Sequence, residues 1–169
     1  MKPRRAEKSP QAASAGFYVP GEFRPDQSVG YLMRNVIGSI RERANTRLAA
    51  HDLTYVQWLP LYKLAMKQGN TVASLARELE IDAGAMTRSM DRLEAKGLVR
   101  RERSTSDRRV VFLVLTAEGR KVARKVPAVL SEVLNGHLQG FSNEEWQLLL
   151  QFLNRMLANG QGLREAATG

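Results

Sequence analysis

Cysteine is absent from all 169 residues, which removes disulfides, thiolate zinc sites, iron-sulfur clusters and cysteine redox switches. A reducing cytoplasm suits that absence and is the expected compartment. Histidine is nearly as scarce, and His51 and His137 stand too far apart to form a recognisable metal-ligand pattern. Neither a G-x-x-x-x-G-K phosphate loop nor a G-x-S-x-G elbow occurs, so neither an enzyme nor a bound cofactor is expected. Long apolar runs are missing too. The longest candidate, Val110 to Leu115, is strand-sized, well below the roughly 20 residues that cross a bilayer, and no membrane association is expected. The basic start, 1–8, runs into Ser9, Pro10 and Gln11 rather than an apolar stretch, so no secretory signal is expected either. Acids are in short supply, 17 against 26 Lys plus Arg. The resulting formal charge of +9 points first to a polyanion, most often nucleic acid.

What remains is one domain's worth of chain with an appended arm. Residues 1–27 read as a flexible basic arm and lead-in, with Lys2, Arg4, Arg5 and Lys8 followed by Phe17, Tyr18, Val19 and Phe23 among Pro and Gly. From Ser28 the pattern turns helical, because Val29, Met33, Val36, Ile37, Ile40, Ala44 and Leu48 recur every three or four positions over about 28–50. Thr54 and Gln57 form a capping box for a second helix, which contains Pro60 and ends near Gly69. Thr71 caps a short helix facing inward with Val72, Leu75, Ala76 and Leu79. After Glu80-Ile81, Asp82 caps the next, which buries Met86, Met90 and Leu93 and stops at Gly97. That pair has helix-turn-helix spacing. Leu98 to Arg103 and Arg109 to Leu115 read as a hairpin, a candidate wing. Thr116 opens a long helix, and Ser142 with Glu145 caps another, with the tail 159–169 expected to be flexible. The fold class is therefore mainly α with a small β-hairpin wing: a winged helix-turn-helix over about 54–116, inside a body of 28–158.

A helix that reads DNA buries one face and presents short or hydrogen-bonding side chains, with Arg or Lys, on the other. The 83–96 helix turns Ala83, Gly84, Thr87, Arg88, and Asp91 or Arg92 outward. Arg88 suits guanine O6 and N7, and Thr87 suits a thymine methyl or a phosphate. Gly84 and Ala85 are small enough to let the helix N-terminus approach the backbone, where a phosphate is favoured. In the hairpin, Asp107 precedes Arg109 by two residues, a spacing that on a strand edge puts both on one face. A carboxylate there orients the guanidinium for a narrow, negative minor groove. Arg108 lies beside them. Residues 88–109 hold eight Lys or Arg against four acids, more concentrated than a solvated face requires.

These residues resemble the MarR family of winged helix-turn-helix regulators. The likeness rests on Met86-Thr87-Arg88, Asp91-Arg92-Leu93-Glu94, Lys96-Gly97-Leu98-Val99-Arg100-Arg101, the wing motif D-x-R-x-x-x-L on Asp107, Arg109 and Leu113, and Leu115-Thr116-Ala117-Glu118-Gly119. It departs at Ala83-Gly84-Ala85, where relatives often carry Ser, Thr or Pro. The resemblance implies a homodimer with intertwined terminal helices, about 28–50 and 117–158. It also implies binding to a pseudo-palindromic double-stranded operator, usually as a repressor released by a small molecule. Asp107 then orients Arg109 into the minor groove while Thr87 and Arg88 meet the major groove. The apolar faces of the terminal helices argue independently for a second subunit, since the winged part is too small to cover them.

By position in that family, Arg34, His51, Trp58, Tyr62 and Met66 are candidates for an effector pocket. Trp58 and Tyr62 stand one helical turn apart, and Arg34 or His51 suits a carboxylate, which points to an aromatic acid or a phenol. The competing reading of the whole chain is an architectural, non-specific nucleic-acid binder without an effector. The two differ in sequence discrimination and salt response.

Overall fold

Two prolines open the described chain's first turns, because Pro sets φ and lacks the N-H that a first turn leaves unused. In the computed structural model, which describes residues 16–66 and 70–168, these are 3-10 turns at Pro20–Glu22 and Pro25–Gln27. The expected arm falls outside the described residues over 1–15, as does the expected helix end near Gly69. Tyr18 meets Phe23 edge to face with ring centroids 5.8 Å apart. Its hydroxyl accepts from Val29 N at 2.9 Å, and Ser28 Oγ accepts from Tyr31 N at 3.2 Å, so both satisfy orphan donors at the start of helix α1, Val29–Leu48. The described chain divides into two units, with the boundary after Gly38. On the first unit's part of α1, Tyr31, Leu32, Met33, Val36 and Ile37 are exposed.

The second unit holds the rest of α1, then α2 (Tyr55–Ala65), α3 (Val72–Glu78), α4 (Ala83–Ala95), β1 (Val99–Arg103), β2 (Val111–Leu115), α5 (Ala117–His137) and α6 (Asn143–Thr168). Its core joins Leu61 and Leu64 of α2, Leu75 of α3, Met86, Met90 and Leu93 of α4, Leu113 and Leu115 of β2, and Val122, Ala123 and Val126 of α5. The strands pair antiparallel with Val99 opposite Leu115 and Arg103 opposite Val111. Leu113 N donates to Asn70 O at 2.6 Å, which ties the hairpin to the lead-in of α3.

Helix ends follow the polar residues. Gln57 Oε1 accepts from Thr54 N at 3.1 Å, Thr71 Oγ1 from Ser74 N at 3.1 Å, Asp82 Oδ1 from Ala85 N at 2.9 Å and Thr116 Oγ1 from Gly119 N at 2.9 Å. Gly97, at φ +68°, ends α4: its N-H donates to Glu94 O at 2.8 Å and Leu98 N donates to Leu93 O at 3.0 Å, the two bonds of a Schellman cap. One expectation is corrected at the C-terminus. Helix α6 does not stop near 158 but continues through Thr168, past Gly160 and Gly162. Leu163, Arg164, Glu165, Ala166 and Ala167 are all good helix formers and offset the two glycines, and Arg164 also reaches Glu80 at 2.9 Å. Along α6, Trp146, Leu148, Leu150, Phe152, Met156 and Leu157 are exposed, whereas α5 buries its apolar face against α2. Among the described residues, no helix is long and apolar enough to cross a membrane.

Candidate nucleic-acid interface

The chemistry of the surface begins with the period of α4. Met86, Met90 and Leu93 are fully buried, so the helix turns Ala83, Thr87, Arg88, Asp91 and Arg92 to solvent, with Gly84 half-buried near its start. The Thr87 hydroxyl donates to Ala83 O at 2.9 Å, which leaves its lone pairs and methyl group outward. Arg88 and Arg92 are exposed.

The Asp107–Arg109 pair forms, although by a different route from the strand-face argument. Both residues lie in the loop between the strands, where Val110 N donates to Asp107 O at 2.9 Å and closes a turn. Within it, Asp107 Oδ1 accepts from Arg109 N at 3.0 Å and from Nε at 3.3 Å, while Oδ2 accepts from Nη2 at 3.5 Å. The Arg109 side chain is nonetheless 91% exposed, so the carboxylate steers the guanidinium without withdrawing it from solvent. Ser104, buried where β1 enters the loop, accepts from the N-H groups of Ser106 and Asp107 at 3.3 Å each and sets the loop that carries Asp107. Sequence reasoning missed Ser104. A serine opening a polar loop is its only signal.

The charges of 88–109 sort into two groups. All four acids are taken by arginines of the same segment: Asp91 and Glu94 by Arg101, Glu102 by Arg100 and Asp107 by Arg109. Lys96 turns inward, donating to Asp52 O at 2.6 Å and to Gln57 Oε1 at 3.2 Å. Among the described residues this leaves Arg88, Arg92, Arg103 and Arg108 exposed and without an ion pair. The Arg101 guanidinium is held above the ordinary arginine range, first by its hydrogen bond to Asp91, with Glu94 adding and partial burial opposing.

Behind α4 lies a cavity of about 410 Å³ against α2, lined mainly by Tyr55, Trp58, Ile81, Met86, Ser89 and Arg92, with Arg88 at its wall. Trp58 Nε1 and Ser89 Oγ, both on lining residues, are buried without a partner. Buried polar atoms of that kind ordinarily find one. Of the five effector candidates only Trp58 lines this space. Its ring partner is Tyr55, edge to face at 6.3 Å, rather than Tyr62. Tyr62 is half-buried on α2, Met66 is exposed at that helix's end, and His51 is half-buried in the 3-10 turn Ala49–His51. Arg34 belongs to the first unit, where its guanidinium lies 5.9 Å from the Tyr31 ring centroid. Among the described residues no group of three or more His, Asp or Glu side chains is arranged to hold a metal ion.

The chain is similar to known transcriptional regulators. A family model described as MarR family matches residues 53–111. The HTH-type transcriptional regulator TtmR of Methylorubrum extorquens is 38% identical over 109 residues, which make up 64% of this chain and 55% of that protein. The chain thus spans about half the length of that curated relative. The solved structure of transcriptional regulator PA3341 is 31% identical with a TM-score of 0.69, covering 80% of this chain and 99% of that one. A mutant MarR from E. coli complexed with operator DNA is 26% identical with a TM-score of 0.70, covering 76% and 93%. The chain belongs to the MarR family.

Proposed function

We propose that this chain is a sequence-specific, homodimeric transcriptional regulator that binds double-stranded DNA at a pseudo-palindromic operator. One observation carries the reading: the acids of 88–109 are neutralised within the segment, while four arginines stay exposed and unpaired beside a fifth, Arg109, that is aimed outward. A surface that merely needed solubility would not separate its charges in this way. In this reading Thr87 and Arg88 meet base edges in the major groove, Arg109 enters the minor groove under Asp107's control, and Arg92 and Arg108 contact phosphates. Ala83 and Gly84 let the N-terminus of α4 approach the backbone. The similar E. coli MarR structure holds operator DNA, which supports the assignment. The exposed apolar faces of α6 and of α1 each supply surface for a second copy, and two copies place two wings on two half-sites.

Release by a small molecule completes the proposal. The cavity behind α4 suits an aromatic acid or phenol: apolar walls take the ring, and Arg88 or Arg92 pairs an acid group. A ligand that engages those arginines removes them from DNA, so repression lifted by the effector is the expected response.

The test is binding of the purified chain to duplexes enriched from a randomised pool. Enriched DNA should bind roughly 1,000-fold more tightly than random DNA at moderate salt. Arg109→Ala should cost about tenfold or more at the enriched site while the oligomer stays folded. Equal affinity for all sequences would return the chain to the architectural binders. A light-scattering mass of one chain would refute the dimer, and a panel of aromatic acids and phenols giving neither heat nor DNA release would remove the effector.

A further inference from the structure

Two separate elements of the proposed interface, α4 and the wing, must reach adjacent grooves together, and their covalent link fixes only one point between them. That link is the Gly97 cap, with Leu98 entering the hairpin. A second point of attachment exists. Arg101, on β1, donates through Nη2 to Asp91 Oδ1 at 2.7 Å and through Nη1 to Glu94 Oε2. Asp91 and Glu94 are three residues apart on α4 and so present their carboxylates on one face. A guanidinium is a planar fork with its donors in fixed directions, so one arginine that bridges two carboxylates fixes both the distance and the angle between strand and helix.

We propose that Arg101 is a positioning residue for DNA recognition: it sets the angle between the wing and the recognition helix, and touches no DNA itself. The inference rests on the DNA-reading function proposed above. Arg101 differs from the other wing arginines in being only 30% exposed at its side chain, with both of its terminal nitrogens engaged. Asp91 lies one turn beyond Thr87 and Arg88, so the clamp grips α4 next to the residues assigned to base edges. At the other end the lever is long. From Arg101 the ladder runs three residues to Ser104 opposite Val110, with Arg109 one residue beyond, so strand rise gives roughly 13 Å and a swing of about 10° at the base displaces Arg109 by roughly 2 Å. About a third of the width of a minor groove, about 6 Å across, is then lost. The pair Arg100–Glu102 cannot replace the clamp, since the alternation of the strand puts both on its opposite face.

The experiment compares the full-length parent, Arg101→Met and Arg101→Lys on a duplex enriched by the parent from a randomised pool and on random duplex, with two footprints of each complex: hydroxyl radical, which reads the sugars of the minor groove, and dimethyl sulfate, which reads guanine N7 in the major groove. Arg101→Met should lower the preference for the enriched duplex by tenfold or more while random-duplex affinity changes less than about threefold. Its footprint should lose the minor-groove protection of the wing and keep the major-groove protection of α4. Arg101→Lys keeps the charge but cannot bridge two carboxylates in fixed geometry, so it should fall between the two, and it carries the test if the methionine variant does not fold. Equal losses on both duplexes, with both protections weakened together, would make Arg101 a bulk charge and overturn the proposal while leaving the DNA-reading function standing. An unchanged footprint and preference in both variants would overturn it as well. A parent chain that enriches no sequence would sink the DNA-reading function itself, and this inference with it.

Discussion

Replacing Gly119 by alanine probes the joint where α4, the hairpin and α5 meet. A Cβ built on Gly119 would stand 1.9 Å from the Leu98 carbonyl oxygen and 2.9 Å from its carbon, both backbone atoms that no rotamer change can move. Cβ contacts below 3.0 Å essentially never occur, so α5 and the base of β1 must part by at least about 1.1 Å. The same oxygen accepts from Thr116 N at 3.1 Å, and that bond would open. Losing it costs about 1 kcal/mol, and residual overpacking adds about 1–3 kcal/mol. Alanine's better helix propensity returns about 1 kcal/mol. The net loss is about 1–3 kcal/mol, a drop in Tm on the order of 2–12 °C for a chain of this size. Thermal unfolding at one fixed protein concentration measures it, because an oligomer's Tm moves with concentration. Gly136→Ala, on the same helix, is the matched control. Its Cβ meets nothing within 4 Å, so its Tm should not fall. A Gly119→Ala variant that melts with the parent would refute the close approach and the rigid joint built on it.

Three further outcomes are expected. Glu80 sits at φ +50° in the turn between α3 and α4, so Glu80→Gly should relieve strain and stabilise by about 0.5–1 kcal/mol in urea titration, the exposed Arg164 pair being worth little. Lys96→Met removes the donor that bridges Asp52 O and the buried Gln57 and should lower stability by about 1–2 kcal/mol, with Lys96→Arg recovering part. Gly160→Ala and Gly162→Ala meet open space, so each should raise helix content by circular dichroism and stabilise α6 by up to about 1 kcal/mol.

Much of this architecture is written in local chemistry. The residues Thr54, Thr71, Asp82, Thr116 and Ser142 announce helix starts because each competes for orphan N-H groups within three residues, and Gly97 announces an end because it takes a left-handed φ at no steric cost. The Asp107–Arg109 pair is legible for the same reason, although the turn that forms it is not. Arg101's clamp and Lys96's reach to Asp52 escape such reasoning. Their partners lie 7 to 44 residues away and are chosen by tertiary packing. The cavity escapes it too, since Trp58 and Ser89 reveal their unpartnered atoms only once α2 and α4 have packed. Helix α6 runs past 158 because two glycines weaken a helix without ending it when strong formers follow.

The hairpin's two outer edges are treated differently, and the difference bears on solubility. A two-stranded ribbon is marginal in water and offers unpaired backbone to any passing strand. On β2 the Leu113 N-H is already occupied by Asn70, which blunts that edge from within the chain. On β1, with Arg100 paired to Glu102 and Arg101 held by Asp91 and Glu94, Arg103 is the charge left over, and two such edges repel. Arg103 therefore guards against strand-to-strand aggregation, a duty that persists when no nucleic acid is bound and that sets a limit on how far the wing can be neutralised.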